Sequence, residues 1–303
     1  MDNQQLISII KEIGRGKNAA RDLSREDAQA LFTAILNDEI PPLQLGAILI
    51  ALRIKGESLE ELAGFLDACE ASYPHLKAPA GTVPLVIPAY NGARQLPNLT
   101  PLLASLVARE GKPVLVHGVP DDPGRVTTIE VFKAMGIEPA ASISEAEQQL
   151  AERKLAVITI DTLAPKLARV LKLRRQIGLR SSGHTLVKMI QPFTSKAIRL
   201  VSMTHPEYLD RMRAFFTSYG SDALLLRGAE GEAVAHPRRE PVIEWLDGKT
   251  AKVWRGTAEE NPELPVGREA EVTASWIGEV LTNKRAVPMA ISHQVACRTK
   301  TDS

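Results

Sequence analysis

From Thr162 to Pro206 the sequence carries no Asp or Glu, yet these 45 residues hold nine cationic side chains: Lys166, Arg169, Lys172, Arg174, Arg175, Arg180, Lys188, Lys196 and Arg199. The whole chain is nearly neutral, at +1, so everything outside that stretch carries 28 basic against 36 acidic residues, a net of −8. A cationic segment on an otherwise acidic chain concentrates anions around it. A merely solvated helix face interleaves both signs, which this one does not. Wound as a helix from Pro165 to Ile177 at about 100° per residue, the segment puts Leu167, Val170, Leu171, Leu173 and Ile177 on one face and Arg169, Lys172 and Arg175 on the opposite one. The three outward cations suit phosphate contacts. Arg174 falls within the apolar face, where an unpaired charge is costly, so it meets either an internal carboxylate or an anionic ligand.

Other chemistry is sparse. His184 and His205 lack metal-ligand spacing and read as core or surface histidines, so no metal and no cofactor is expected. Ser181-Ser182-Gly183 has no base partner for nucleophilic work. Cys69 and Cys297 are too few and too far apart for a disulfide framework or a zinc cage. Tyr90-Asn91-Gly92-Ala93-Arg94 is either an ordinary Asn-Gly turn or a loop that exposes an aromatic and the Arg94 cation. Arg15, Lys17 and Arg21 form a smaller basic cluster that reads as solvated surface.

The elements that must position these residues follow from the hydrophobic pattern. The chain has 303 residues, 44% hydrophobic and 24% charged, which excludes disordered and fibrous classes and suits one large domain or two smaller ones. Its longest apolar run, Leu45–Leu52, is far short of a membrane span, and no basic leader precedes an apolar core, so a soluble, cytoplasmic protein is expected. Residues 1–73 read as helices: Ser24 caps Arg25–Leu36, Leu43–Arg53 follows Pro41-Pro42, and Ser58 with Glu61 opens Leu59–Cys69. Leu76–Pro84, rich in Pro, Ala and Gly, reads as a linker. Beyond it, short apolar strands at Leu85–Ile87, Val114–Val116 and Leu155–Ile160 alternate with helices at Leu99–Glu110 and Thr127–Met135. Later strands are predicted at Ile198–Ser202, Ala223–Leu226, Val242–Leu246 and Lys252–Trp254, and a late helix at Arg268–Leu281. The alternation predicts an α/β fold: a small all-helical N-terminal domain and a larger domain with a central, mostly parallel sheet.

This order, together with Asp22-Leu23-Ser24-Arg25-Glu26-Asp27-Ala28 and Ala51-Leu52-Arg53-Ile54-Lys55-Gly56-Glu57 with Glu60-Glu61, resembles anthranilate phosphoribosyltransferase and the pyrimidine nucleoside phosphorylases. His117-Gly118, Ala134-Met135-Gly136-Ile137 and Leu173–Arg180, the last similar to the family's VRxxLGIRT-like stretch, extend the resemblance over roughly residues 5–285. It implies a helical domain at 1–75, joined by a returning segment at about 163–190, and an α/β domain at 82–162 and 191–303. It also implies that the chain stops short of the family's last helix.

The resemblance further implies where a phosphoribosyl pyrophosphate site would lie, and there the motifs are altered. The family's Gly-Thr-Gly-Gly-Asp turn reads Pro88-Ala89-Tyr90-Asn91-Gly92, in which proline removes a donor and tyrosine fills the space of an anion. Lys-His-Gly-Asn-Arg becomes Val116-His117-Gly118-Val119-Pro120, and the magnesium-holding Asp-Glu pair becomes Ala233-Val234. A vestigial pocket of Asn98, His117, Arg125 and Arg174 is left. The pattern is similar to the non-biosynthetic branch of the family, whose members are implicated in binding DNA or RNA without sequence preference. The expectation is therefore a nucleic-acid-binding protein, homodimeric through its helical domain, that does not transfer phosphoribosyl groups to anthranilate and makes no membrane contact. Its contacts would be Arg169, Lys172, Arg175, Arg180 and Lys188, with Lys166, Arg94 and Arg199 behind them. Two alternatives stay open: a glycosyl- or phosphoribosyltransferase of the same fold acting on another phosphorylated or nucleotide substrate, and a scaffold whose basic patch docks an acidic protein.

Overall fold

The computed structural model describes residues 1–16, 18–248 and 251–301; Lys17 of the first basic cluster lies outside them. The chain opens with four helices, α1 (Asn3–Ile13), α2 (Arg25–Leu36), α3 (Pro42–Lys55) and α4 (Leu59–Glu70). It continues through β1 (Leu85–Ala89), α5 (Thr100–Arg109), β2 (Val114–Gly118), α6 (Thr128–Ala134), α7 (Ile143–Arg153), β3 (Leu155–Thr159) and α8 (Ile160–Leu163). Three short helices follow, α9 (Pro165–Lys172), α10 (Arg174–Ile177) and α11 (Gly183–Leu186). The last stretch is β4 (Ile198–Ser202), α12 (Pro206–Ser218), β5 (Asp222–Leu226), β6 (Val242–Asp247), β7 (Ala251–Arg255), α13 (Ala270–Leu281) and α14 (Met289–Lys300). The described chain forms two compact units: Met1–Pro74 with Ala164–Ile190, and His75–Leu163 with Gln191–Ser303. No helix is long and apolar enough to cross a membrane among the described residues.

The helical unit is organised by local caps and one close contact. Ser24 accepts from the Asp27 N–H, and Ser58 and Glu61 complete a reciprocal capping box at the start of α4. The Glu61 carboxylate is fully buried and does more than cap, accepting from the Leu23 N–H at 3.0 Å and Lys55 Nζ at 2.6 Å. Gly64 lets α4 press onto α2: a Cβ there would stand 2.2 Å from the Arg25 carbonyl oxygen. Beside it the Phe32 and Phe65 rings pack 5.0 Å apart.

The single helix expected from Pro165 to Ile177 is two. The Leu173 N–H bonds to the Val170 carbonyl at 3.3 Å, a three-residue step that tightens the winding, and Gly178 closes α10 in the left-handed region at φ 77°. A face drawn at a constant angle therefore does not carry past Lys172. Arg174 is half-buried and Arg175 exposed, and α10 has no buried residue.

The α/β unit holds a seven-stranded sheet in the order β3-β2-β1-β4-β5-β6-β7. The first five are parallel and the β6–β7 hairpin adds two antiparallel strands at one edge. Leu85, Ile87, Val114, Val116, Ile198 and Leu200 face a core shared with α5, α6, α13 and α14. Period-two alternation sends His117 and Arg199 to the opposite face. The chain order reverses between β1 and β4, so loops at the carboxyl ends of these strands frame the crevice where ligands bind in open α/β sheets.

Candidate functional site

The loop after β1 runs from Tyr90 to Leu99, and its backbone amides point at the chain's own acids. The Asn91 and Gly92 N–H groups donate to Glu232 Oε1 at 2.7 and 2.6 Å. The Arg94, Gln95 and Leu96 N–H groups donate to the Glu230 carboxylate at 2.7, 3.1 and 3.2 Å. The second oxygen of Glu232 accepts from Thr128 Oγ1 at 2.9 Å, and Thr100 Oγ1 lies 3.4 Å away. Asn98 Nδ2 donates to Thr128 Oγ1 at 3.0 Å, which turns the threonine's own proton toward Glu232. Arg125 Nη1 holds the Asn91 carbonyl at 3.0 Å, while Ala93 and Val126 exchange both backbone hydrogen bonds. Burial works to raise the pKa of Glu230, but the three amides and Arg125 outweigh it and hold the carboxyl below its usual range.

Glu230 and Glu232 escaped the sequence reading. They sit on the loop after β5, opposite amides about 140 residues upstream, so no local spacing betrays the pairing. The trace they leave is Glu230-Gly231-Glu232 in the loop that follows the buried strand β5.

Behind this loop, Tyr90 Oη lies 2.6 Å from His117 Nδ1, both side chains buried. Burial pushes the imidazole down to about 3 and, with the charges of Asp161 and Glu232, drives the phenol up. Asn98, His117 and Arg125 thus surround one loop of the α/β unit, whereas Arg174 belongs to the helical unit. Ala233 and Val234, at the positions where the resemblance places magnesium ligands, are buried hydrophobics, and the Ala233 carbonyl accepts from Gln294 Nε2. The neighbouring carboxylates are already engaged by amides. These residues do not fit a hard cation.

The basic segment divides into cations that hold the fold and cations that face solvent. Lys166 Nζ donates to Asn37 Oδ1 at 2.7 Å. Arg169 pairs with Asp38 and donates to the Ile35 and Leu36 carbonyls at 2.8 and 2.9 Å, so it caps the negative end of α2. Two expected contacts do not reach solvent. Lys188 is 7% exposed, and Arg199 is 5% exposed with its guanidinium 4.9 Å over the Phe216 ring, because β4 is a central strand buried on both faces. Arg94 is exposed, and its backbone carries Glu230. Lys172 and Arg175 are exposed, with Arg174 and Arg180 half-buried beside them. The His184 imidazole is pushed down to about 3, first by burial and then by the charges of Arg180, Arg174 and Lys188. Arg53 Nη1 reaches the Arg180 carbonyl at 2.8 Å and adds a further positive charge.

Comparison with known proteins sets these observations in a lineage. Residues 7–72 match the helical bundle domain of a glycosyl transferase family. The chain is 44% identical over 293 residues to YbiB of Escherichia coli, an uncharacterized protein, covering 95% of this chain and 92% of that one. It is 28% identical over 216 residues to the anthranilate phosphoribosyltransferase of Sinorhizobium medicae, covering 71% of this chain and 64% of the enzyme. Among solved structures, anthranilate phosphoribosyltransferase from Thermus thermophilus superposes with a TM-score of 0.77 at 20% identity, over 95% of this chain and 85% of that one. The Saccharomyces cerevisiae enzyme in complex with PRPP and Mg gives 0.74 at 15% identity, over 97% and 86%. With its helical bundle, its mostly parallel sheet and these relatives, the chain belongs to the same family as YbiB and has the anthranilate phosphoribosyltransferase fold.

Proposed function

We propose that this chain binds nucleic acid through its phosphate backbone, without sequence preference, and that the contact face lies on the helical unit at Lys172, Arg174, Arg175 and Arg180. The observation that carries the reading is a stretch of sequence without a single acid in which Lys172 and Arg175 are exposed, while Arg174, Arg180 and Lys188 all act on the His184 imidazole. Such a density of fixed charge attracts polyanions and releases their counterions on binding. Arg199 and Lys188 drop out as direct contacts because they are buried, and Lys166 and Arg169 serve α2 first. The alternative of a transferase acting on another phosphorylated substrate is less well supported, since the amides that would hold its phosphates already hold Glu230 and Glu232. We also propose that the chain works as a homodimer, with a second copy covering the exposed apolar face of α3 around Leu43 and Ile54, 88% and 59% exposed. Two copies would double the phosphates contacted.

The test is fluorescence anisotropy of a labelled single-stranded oligonucleotide. Contact with about six phosphates lowers affinity by roughly two to three decades between about 50 and 200 mM salt. Reversing charge in the double variant Lys172→Glu/Arg175→Glu should weaken binding at least about tenfold at the lower salt and flatten the salt slope. Arg169 is left intact in this variant because it also holds α2. Unchanged affinity in the double variant would move the contact face elsewhere, and no binding at low salt would end the reading.

A further inference from the structure

The loop Gly228–Ala235 is folded onto the β1 loop with features that a simple connection does not need. Glu230 adopts φ 51°, the left-handed region that non-glycine residues avoid. That turn aims its carboxylate at three successive amides. Gly231, at φ 87°, lies so close that a Cβ would stand 1.7 Å from Asn91 Nδ2, and a Cβ at Gly228 would stand 1.8 Å from the Glu232 carbonyl oxygen. The Gly228 N–H is fixed by Ser202 Oγ at 3.1 Å, on the end of β4. Glu232, 2% exposed, carries its charge into the interior against two amides and a threonine hydroxyl.

Backbone amides converging on an oxyanion from a turn are the chemistry of a phosphate cradle. A carboxylate oxygen and a phosphoryl oxygen ask for the same donors at the same distances. We infer that the amides of Asn91, Gly92 and Arg94–Leu96, with the Thr128 hydroxyl, form an intact oxyanion cradle whose resident ligand is the chain's own Glu230–Glu232 turn, so that a phosphate-class ligand binds there only when these carboxylates are withdrawn. The turn acts as an internal competitor. Because it is tethered, its effective concentration is millimolar or higher, above that of a weakly bound free anion. Its two negative charges also repel an arriving one. The loss of glycines after β1 and the loss of the metal carboxylates are then only part of the change in this crevice. The other part is a built-in occupant that keeps the amides satisfied.

The inference is tested with inorganic pyrophosphate and inorganic phosphate, no metal added, on the full chain and on Glu230→Ala/Glu232→Ala. In the wild type, about 5 mM pyrophosphate should leave the amide resonances of Asn91, Gly92 and Arg94–Leu96 in place, since the tethered carboxylates hold the donors. In the double variant the same resonances should move and saturate, with a dissociation constant at least about tenfold lower than any wild-type binding and a melting temperature that rises with pyrophosphate. A folded double variant whose amides do not move would overturn the inference, and so would wild-type binding of equal strength. Should the double variant fail to fold, Glu230→Ala takes its place. It leaves the buried Glu232 where it is and frees the amides of Arg94–Leu96, and it should bind pyrophosphate more tightly than wild type. No gain in Glu230→Ala would likewise overturn the inference.

Discussion

Tyr90 Oη and His117 Nδ1 share one short contact, and the donor is settled by counting what each assignment strands. If the phenol donates, a single buried group, the His117 Nε2–H, is left without a partner among the described residues. If the imidazole donates, both the phenol proton and Nε2 are stranded, which costs more. The phenol therefore donates and the imidazole is neutral. Its folded value of about 3 lies below the ordinary 6.5 of an unfolded histidine, so the unfolded chain takes up the proton first as the pH falls. Stability from His117 is complete above pH 6.5 and is lost steadily from there toward pH 3, at about 1.4 kcal/mol per pH unit. His184 acts in the same direction over the same range. Urea unfolding at pH 7.0, 5.5 and 4.5 should show this decline, and His117→Asn, weaker at pH 7, should lose about one proton's worth of slope. An unaltered slope in the variant would place the titration elsewhere.

At the scale of elements, the basic segment shows how a pattern can be right in kind and wrong in use. Its cations are legible in the sequence, but where each one ends depends on contacts that no local spacing shows. Arg169 ends on the α2 carbonyls, and Arg199 on the Phe216 ring of α12. Arg169→Ala should therefore cost about 1–3 kcal/mol of stability, since it strips charged hydrogen bonds from a helix terminus. Lys172→Ala, at an exposed position, should stay within about 0.5 kcal/mol. Chemical denaturation of the two variants checks the contrast, and equal losses would deny the division. Where local chemistry decides, the reading was close: the Ser24 cap and the apolar run define Arg25–Leu36, and the buried run defines Ile198–Ser202. Helices α7 and α12 bury only three residues each, which leaves little apolar periodicity to read. In α12 only Met212, Phe215 and Phe216 are buried, among six polar or charged residues, and there is no side-chain cap. The anion cradle was legible only as an altered glycine turn. Its occupant was not, because Glu232 is recognised by amides on another loop.

On the scale of the molecule, the proposed pairing of two chains has a simple check. Leu43 and Ile54 are eleven residues apart on α3, about three turns, so they mark one stripe, with Gly46, Ala47, Ile50 and Ala51 between them. Leu43→Glu/Ile54→Glu puts charge into that stripe at exposed positions, which leaves the fold standing. Sedimentation should then report a dimer for wild type and a monomer for the variant, and a dimer in both would remove α3 from the interface. The helical unit has one more property, which concerns how the chain is made. Its first four helices are complete by residue 70, but α9 and α11, which belong to the same unit, come only after 75–163 of the other unit have been translated. The Ile35 carbonyl waits for Arg169, 134 residues later, which at about 5–20 residues per second is roughly 7–27 s. Throughout that interval the nascent helices hold an apolar surface that their own chain has not yet supplied a cover for.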